Sequence, residues 1–340
     1  MITDREKLVG ILTAVRPGLA KREINEVATH FVFTGEDIIT NNDQICIAHP
    51  FEAPFKCSVP ANELYKIVSS IKTKEISLDL MDGKLKIQGG KTKASLSTTT
   101  AETAMAKIRA LDMAGVMQKL VALPADFVEG ASLCSFSASK DMTHLALTCL
   151  LIEDDLIMSS DDLRISRFRM GSRMDCSVLV PAAAIKELVK FPVVDYYVSD
   201  KWVYFATKDD VMFCCLLVPD KFNDYDQHFA DFDGLELNLP KEMIDMVEAA
   251  AVMANGEYDT DKLVDIKIEQ GKICCKGSSE VGWIENEADI AFKQADVIKF
   301  AINPMFLMAI LNHSTKMIYR ENRALFDAGK FLHLMALKLD

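Results

Sequence analysis

Aromatic residues are scarce in this chain, at 8% of positions with only 2 Trp. Metal-binding patterns are missing. No Cys-x-x-Cys or His-x-x-x-His pair occurs among the 9 Cys and 6 His, so a zinc centre has no ligand spacing to rest on. Cys214-Cys215 and Cys274-Cys275 lie in strand-like runs. Adjacent strand residues point to opposite faces, so neither pair converges on one metal. The longest apolar runs, Leu145–Ile152 and Val211–Val218, fall far short of the roughly 18 residues of a membrane span. Gly90-Lys91-Thr92 echoes the end of a phosphate-binding loop. The first Gly of that motif would fall at Leu85, and the tripeptide lies between predicted strands with no helix N-terminus to hold a phosphate. His30, His49, His144, His228, His313 and His333 stand in no nucleophile pattern. Asp161-Asp162, Asp209-Asp210 and Glu153-Asp154-Asp155 occupy turn-like positions and read as solvated loops. We expect no catalytic residue, no metal and no cofactor. Positive charge is also in deficit, with Lys+Arg 38 against Asp+Glu 50 and a net charge of −12. Bulk attraction for phosphate is thereby excluded, unless the basic residues gather on one surface.

What is present is a chain able to bury large cores. It has 340 residues, 50% of them hydrophobic, which suits two or three domains. Its opening, Met1 to Lys7, is polar and resembles no secretion leader. With that opening, the odd Cys count reads as reduced thiols in a cytoplasmic protein.

The main signal is a long internal repeat. Val59-Pro60-Ala61, Val180-Pro181-Ala182 and Asn303-Pro304-Met305 each end a short strand and open an apolar helix. The prolines recur about 120 residues apart, far longer than the roughly 20–50 residues of solenoid repeats. Each helix carries an i, i+3, i+4 stripe: Leu64, Ile67, Val68 and Ile71; Ile185, Leu188 and Val189; Leu307, Ile310 and Leu311. A predicted hairpin follows each one, around Asp82-Gly83, Ser199-Asp200-Lys201 and Glu321-Asn322-Arg323, and then a closing strand. The front half of each copy also opens on a helix. In the first, Thr3 and Glu6 have capping-box spacing ahead of Leu8, Ile11, Leu12 and Val15. Leu123-Pro124 and Leu239-Pro240 open the other two; the second spans Ala125–Phe136 and is followed by strands Leu145–Leu151 and Leu156–Ser159. Helices alternating with antiparallel hairpins make the class α+β. We expect three domains, 1–112, 113–231 and 232–340.

Three segments then resemble one family. Met158-Ser159-Ser160-Asp161-Asp162-Leu163-Arg164-Ile165-Ser166 is similar to the ATDGHRLA segment of the bacterial sliding clamp, the beta subunit of the replicative DNA polymerase. Lys221-Phe222-Asn223-Asp224-Tyr225 resembles that family's RFPDY, and Leu334-Met335-Ala336-Leu337-Lys338-Leu339 its C-terminal VMPMRL. Ser95-Leu96-Ser97-Thr98 resembles the end of its first domain. The segments run in the family's order over the whole chain. Asp162, Asn223 and Ala336 depart from its Gly, Pro and Pro, which marks a divergent clamp of bacterial or phage type.

The resemblance implies three clamp domains, each with two helices packed on antiparallel sheet. Two chains would close head to tail into a homodimer ring around duplex DNA. The ring would serve as a polymerase processivity factor in the cytoplasm of a bacterial or phage-infected cell. Retention by topology would need only weak direct contact, in keeping with the acidic composition. DNA-facing candidates are Lys7, Arg16, Lys21 and Arg22, then Lys66, Lys72 and Lys74 on the second helix, Lys186 and Lys190 on the second helix of the middle copy, and Lys241. Polymerase and clamp loader would dock short apolar peptide motifs in a pocket. Its candidate residues are Leu147, Ser160, Leu163, Arg164, Ile165, Leu263, Asn303, Phe306, Leu334, Met335, Ala336, Leu337 and Leu339. Leu163 and Phe306 stand where the family has His and Tyr. The dimer interface would set Ala94 and Leu96 against Val252 and Met253; Ala94 is smaller than the aromatic usual there, which predicts a looser dimer. Two other readings compete: an interaction scaffold that does not encircle DNA, and an enzyme with a cleft between domains.

Overall fold

The structure is a computed structural model that describes every residue except 21–27, 100–105, 107–108, 110, 231, 259–260, 293–296 and 339–340. Strand β1 (Ile2–Asp4) leads into helix α1 (Arg5–Val15). The cap is Asp4 and not Thr3, which sits inside β1. The Asp4 carboxylate accepts the Lys7 backbone N–H at 2.9 Å, satisfying one of the helix's orphan donors. The predicted stripe Leu8, Ile11, Leu12 and Val15 is buried. Strands β2 (His30–Phe33), β3 (Asp37–Asn41), β4 (Ile45–Pro50) and β5 (Cys57–Pro60) follow, then helix α2 (Ala61–Ser70). Strands β6 (Glu75–Met81), β7 (Lys84–Gly89) and β8 (Thr92–Ser97) complete this pattern. Asp82 and Gly83 both have positive φ, at 52° and 67°, as a two-residue hairpin turn requires.

The next stretch holds α3 (Met113–Met117), β9 (Val121–Ala122), α4 (Phe127–Cys134), β10 (Cys149–Ser160), β11 (Arg164–Pro181) and α5 (Ala182–Leu188). It ends with β12 (Val193–Val198), β13 (Trp202–Thr207) and β14 (Met212–Leu216). Here the sequence reading needs correction. The helix expected to reach Phe136 stops at Cys134 and tightens into a 3-10 turn over Ser135–Ser137. The strand expected from Leu145 begins only at Cys149, after a 3-10 turn over Leu145–Thr148, and runs on without a break to Ser160. The final stretch holds β15 (Leu235–Asn238), α6 (Met243–Ala251), β16 (Val264–Glu269), β17 (Lys272–Ser279), β18 (Gly282–Asp289), β19 (Ile298–Ile302), α7 (Pro304–Leu311), β20 (Lys316–Arg320), β21 (Arg323–Ala328) and β22 (Phe331–Ala336).

These elements gather into two compact units. Unit 1 comprises residues 1–132, 152–154 and 171–220; unit 2 comprises 133–151, 155–170 and 221–340. Unit 1 holds an eight-stranded sheet, β5-β2-β3-β4-β14-β13-β12-β9, and a four-stranded one, β1-β6-β7-β8. The eight-stranded sheet joins strands of the first and second sequence copies through β4 and β14, where Cys46 lies opposite Cys214. Helix α3 covers one face of it. Leu111 and Val116 are buried there with Tyr204, Ala206 and Met212, and the Tyr204 hydroxyl donates to the Leu111 carbonyl.

Unit 2 holds the six-stranded sheet β10-β11-β22-β21-β20-β15 and the four-stranded sheet β18-β17-β16-β19. Helix α6 buries Met243, Met246, Val247 and Ala250, packing on α7 and on β16–β18. Gly277 permits that approach. A Cβ there would stand 1.8 Å from the Ala250 carbonyl oxygen, so no other residue fits without moving the helix. Among the described residues no helix is long and apolar enough to cross a membrane.

Candidate functional site

Every described pocket candidate falls in unit 2: most lie at one end of its six-stranded sheet, while Leu263, Asn303 and Phe306 come from the start of β16 and of α7. The turn between β10 and β11 is built by its own side chains. Ser160 Oγ donates to the Arg164 carbonyl and accepts the Asp162 N–H. One oxygen of Asp161 accepts the N–H groups of Leu163 and Arg164, and the other accepts Arg164 Nε at 2.9 Å. Asp162 takes positive φ, 68°, at the position where the clamp motif has Gly. Asp tolerates this region better than most residues because its short side chain bonds locally. Here it accepts the Tyr225 hydroxyl.

The turn aims Arg164 inward, and the residue is only 8% exposed. Its Nη2 donates to the Phe136 carbonyl at 2.7 Å, and its guanidinium carbon lies 3.6 Å from the centroid of the Phe306 ring. A planar cation on an aromatic face is a favourable arrangement, stronger when desolvated. Burial pulls the Arg164 pKa down from its ordinary value, and Asp161 opposes that shift. Asn303 fixes Phe306. It caps α7 by accepting the Phe306 N–H at 3.1 Å, while its amide donates to the Lys262 carbonyl beside half-buried Leu263.

Strand β22 completes the site from the other side. Arg164 pairs with Met335, and Ile165 with Leu334. Adjacent strand residues face opposite ways, so the candidates divide into two groups. Ile165, Leu334 and Leu147 belong to one apolar cluster with Leu156, Met158, Tyr225, Phe229 and Leu325. Arg164, Met335 and Phe306 lie outside it. Past the sheet end, the Ala336 N–H donates to the Leu163 carbonyl and the Leu337 N–H to the Asn322 carbonyl. Leu163 is 56% exposed and Ala336 is exposed, while Leu337 is buried. The rim thus presents an exposed leucine next to the buried Arg164–Phe306 stack. Leu339 lies outside the described residues.

Phe136, Asp161, Tyr225 and Phe229 belong to this site but were not among the candidates. Asp161 and Tyr225 lay inside the two quoted motifs, which was the available signal. Nothing in the sequence pointed to Phe136. Behind Arg164, Ser137, Ser166 and His333 form a chain of hydrogen bonds, Oγ to Oγ at 2.6 Å and Oγ to Nδ1 at 2.9 Å. All three are fully or almost fully buried, so no substrate reaches the serines, and the trio is a structural network. Burial, then the nearby Arg164 charge and His313, hold the His333 imidazole well below its ordinary range.

The remaining candidates occupy two other kinds of surface. In unit 1, Lys7 is exposed on α1, Arg16 at its end and Lys66 on α2. Arg16 lies 4.7 Å over the Tyr65 ring. Lys72 and Lys74 fall beyond α2, which ends at Ser70 before β6 begins. Lys186 lies on α5. Lys190 lies just past that helix and pairs with Glu187 at 2.7 Å. Lys21 and Arg22 lie outside the described residues. In unit 2, Lys241 precedes α6.

Ala94 and Leu96 are half-buried on β8, which among the described residues pairs only with β7. Val252, 77% exposed, and half-buried Met253 follow α6, which packs on β18. Strand β18 in turn pairs only with β17 among the described residues.

No protein-family model matches the chain, and no curated protein matches it by sequence. Solved structures do. The DNA polymerase III subunit beta from Pseudomonas aeruginosa superposes with a TM-score of 0.81 at 16% identity, over 100% of both chains. The DNA polymerase sliding clamp from Bacillus subtilis gives a TM-score of 0.82 at 14% identity, over 100% of this chain and 98% of that one. The DNA polymerase III beta subunit from Thermotoga maritima gives 0.81 at 16%, over 99% and 98%. From end to end, the chain has the fold of the DNA polymerase III beta sliding clamps, carried by a divergent sequence.

Proposed function

We propose that the protein is a DNA sliding clamp, a non-enzymatic processivity factor. On this reading the chain divides into three clamp domains at the boundaries expected from the sequence. Two copies close head to tail around duplex DNA, and the rim around Leu163 and Ala336 receives short apolar segments of a polymerase or clamp loader. The observation that carries the reading is likeness to bacterial clamps over the whole chain and not over one domain. The sheet edges support closure. The β7–β8 edge exposes Lys84, Lys86, Lys91 and Lys93, whereas β18 exposes Glu285, Glu287 and Asp289 with Trp283 at its start, and Lys272 of β17 pairs with two of those acids, leaving the edge acidic on balance. Opposite charge on two open edges favours pairing one with the other and disfavours pairing like with like.

Negative-stain electron microscopy at micromolar concentration tests the proposal. Six-lobed rings with an open centre are expected. Particles without a hole at every concentration would refute encirclement and favour the scaffold that binds replication proteins without enclosing DNA.

A further inference from the structure

The exposed helix faces of the two units carry opposite charge. In unit 1, Lys7 on α1, Arg16 at its end, Lys66 on α2 with Lys72 and Lys74 after it, and Lys186 on α5 are all exposed. Of the exposed or half-exposed acids on α1, α2, α4 and α5, Glu6 pairs with Arg5 and Glu187 with Lys190, leaving Glu63 and Glu129 against them, with Asp4 at the cap of α1. In unit 2 the sign reverses. Helix α6 buries its apolar face on β16–β18, and its other face presents Glu242 at the cap, Asp245 and Glu248, with Lys241 ahead of them. Positions three apart stack on one side of a helix, so the three carboxylates form a row with about 4.5 Å of axial rise between members. Helix α7, Pro304–Leu311, contains no charged residue.

We infer that the duplex is held from the unit 1 helices, and that the α6 face repels it. The inference rests on the clamp reading, in which the exposed helix faces line the hole. A duplex carries about one negative charge per 1.7 Å of axis. Each lysine that meets a phosphate releases condensed counterions; a carboxylate row within a Debye length of about 8 Å does the reverse. The duplex is therefore gripped on part of the circumference and pushed away from the rest. That keeps the number of phosphate contacts low while the ring retains the DNA.

The test measures binding of the full-length protein to a fluorescein-labelled linear duplex by anisotropy, across a salt series. The variants are Glu242→Lys with Asp245→Lys and Glu248→Lys; the milder set Glu242→Gln, Asp245→Asn and Glu248→Gln; and Lys66→Ala with Lys72→Ala and Lys74→Ala. Native mass spectrometry and circular dichroism check assembly and folding of each. The reversal set is expected to tighten binding at least tenfold at low salt. It should steepen the log–log salt slope by about 2 to 3, since each new phosphate contact adds roughly 0.9. The milder set should move affinity the same way by less, and the lysine set should weaken binding and flatten the slope. If the lysine set weakens binding while both α6 sets leave affinity and slope unchanged, the inference is overturned and the clamp reading stands. If no variant alters binding, the duplex does not meet these helices and the inference is overturned, while the clamp reading is decided separately by whether rings form in negative stain.

Discussion

Replacing Arg164 with Ala tests the pocket most directly. The guanidinium makes one hydrogen bond to Asp161, one to the Phe136 carbonyl, a close stacking contact on Phe306 and a more distant one on the Phe136 ring. Removing one partner of a buried ion pair costs about 3–5 kcal/mol when the other charge is stranded. Asp161 is not fully stranded, because it keeps the N–H groups of Leu163 and Arg164 and a little solvent contact. That lowers the ion-pair share to about 2 kcal/mol, and the desolvated cation–π contact adds about 1–2 kcal/mol. We expect a total loss of about 3–4 kcal/mol, read by urea unfolding with a probe in unit 2. Lys at this position keeps the charge but reaches only one of the two acceptors, so Arg164→Lys should lose about half as much. Binding of a labelled short apolar peptide, as the proposed function requires, should weaken in the same order. Stability of Arg164→Ala within about 0.5 kcal/mol of the parent would show that the guanidinium organises nothing, and the site description would fail.

Further expectations follow from other parts of the molecule. If two copies pair through these edges as proposed, the mass in sedimentation should fall from dimer toward monomer between about 0.1 M and 1 M salt, as the Debye length shrinks from about 10 Å to 3 Å. A dimeric mass indifferent to salt would instead assign the pairing to apolar contact through Val252, Met253 and Leu96, and a monomeric mass at every salt would refute the proposed pairing. His333 is held neutral in the fold, with its pKa below the unfolded value, so the unfolded chain binds the extra proton in acid. Its contribution is complete above about pH 6.5 and declines as pH falls below that, by up to about 1.4 kcal/mol per pH unit. His333→Gln should flatten the stability profile below pH 6.5; an unchanged profile would place the acid sensitivity elsewhere. Gly277→Ala drives a methyl group into the Ala250 carbonyl. Overpacking of this kind costs about 1–3 kcal/mol or more, and calorimetry should show the loss; a neutral substitution would mean that α6 shifts freely on β17.

The helices were legible because their signals are local. A proline at the start of α2 and α7 and a stripe at 3.6-residue spacing are written within a dozen positions, although the α1 cap expected at Thr3 falls on Asp4. The weakest helix, α4, has Gly130 within it and ended earlier than expected. The joining of copies within one sheet was not legible. The β4–β14 and β11–β22 pairings bring together strands far apart in the chain, and no short pattern specifies a partner at that distance. The same limit applies to the site. Motif order placed Ser160, Arg164 and Leu334 at one sheet end, yet the period of two along β11 and β22 then sent neighbours to opposite faces. Arg164 stacks on Phe306, while Ile165 enters the apolar cluster.

Two of the three departures from the clamp motifs, Asp162 and Asn223, become intelligible once these contacts are known. A residue with a Cβ at φ 68° where the motif has Gly costs about 1–2 kcal/mol in general and less for Asp. Here Asp162 gains a hydrogen bond from Tyr225, and a bond to a charged acceptor contributes about 1.5–3 kcal/mol. Tyr225 comes from the second motif, and Asn223, which stands where that motif has Pro, donates its amide to the same phenol oxygen. Burial and the Asp162 acceptor together push the phenol pKa up, keeping its proton on the donor side of the bond. The Gly-to-Asp and Pro-to-Asn changes therefore meet at one atom, Tyr225 Oη. Each supplies a partner that the motif's own residue lacks, so the two form one local replacement that ties the β10–β11 turn to the segment after β14. Asp162→Gly alone should then be less stable than its relaxed backbone suggests, because it strips Tyr225 of its acceptor. Paired with Tyr225→Phe, it should recover most of that loss. A double variant no better than the single one would show that the two motifs changed independently.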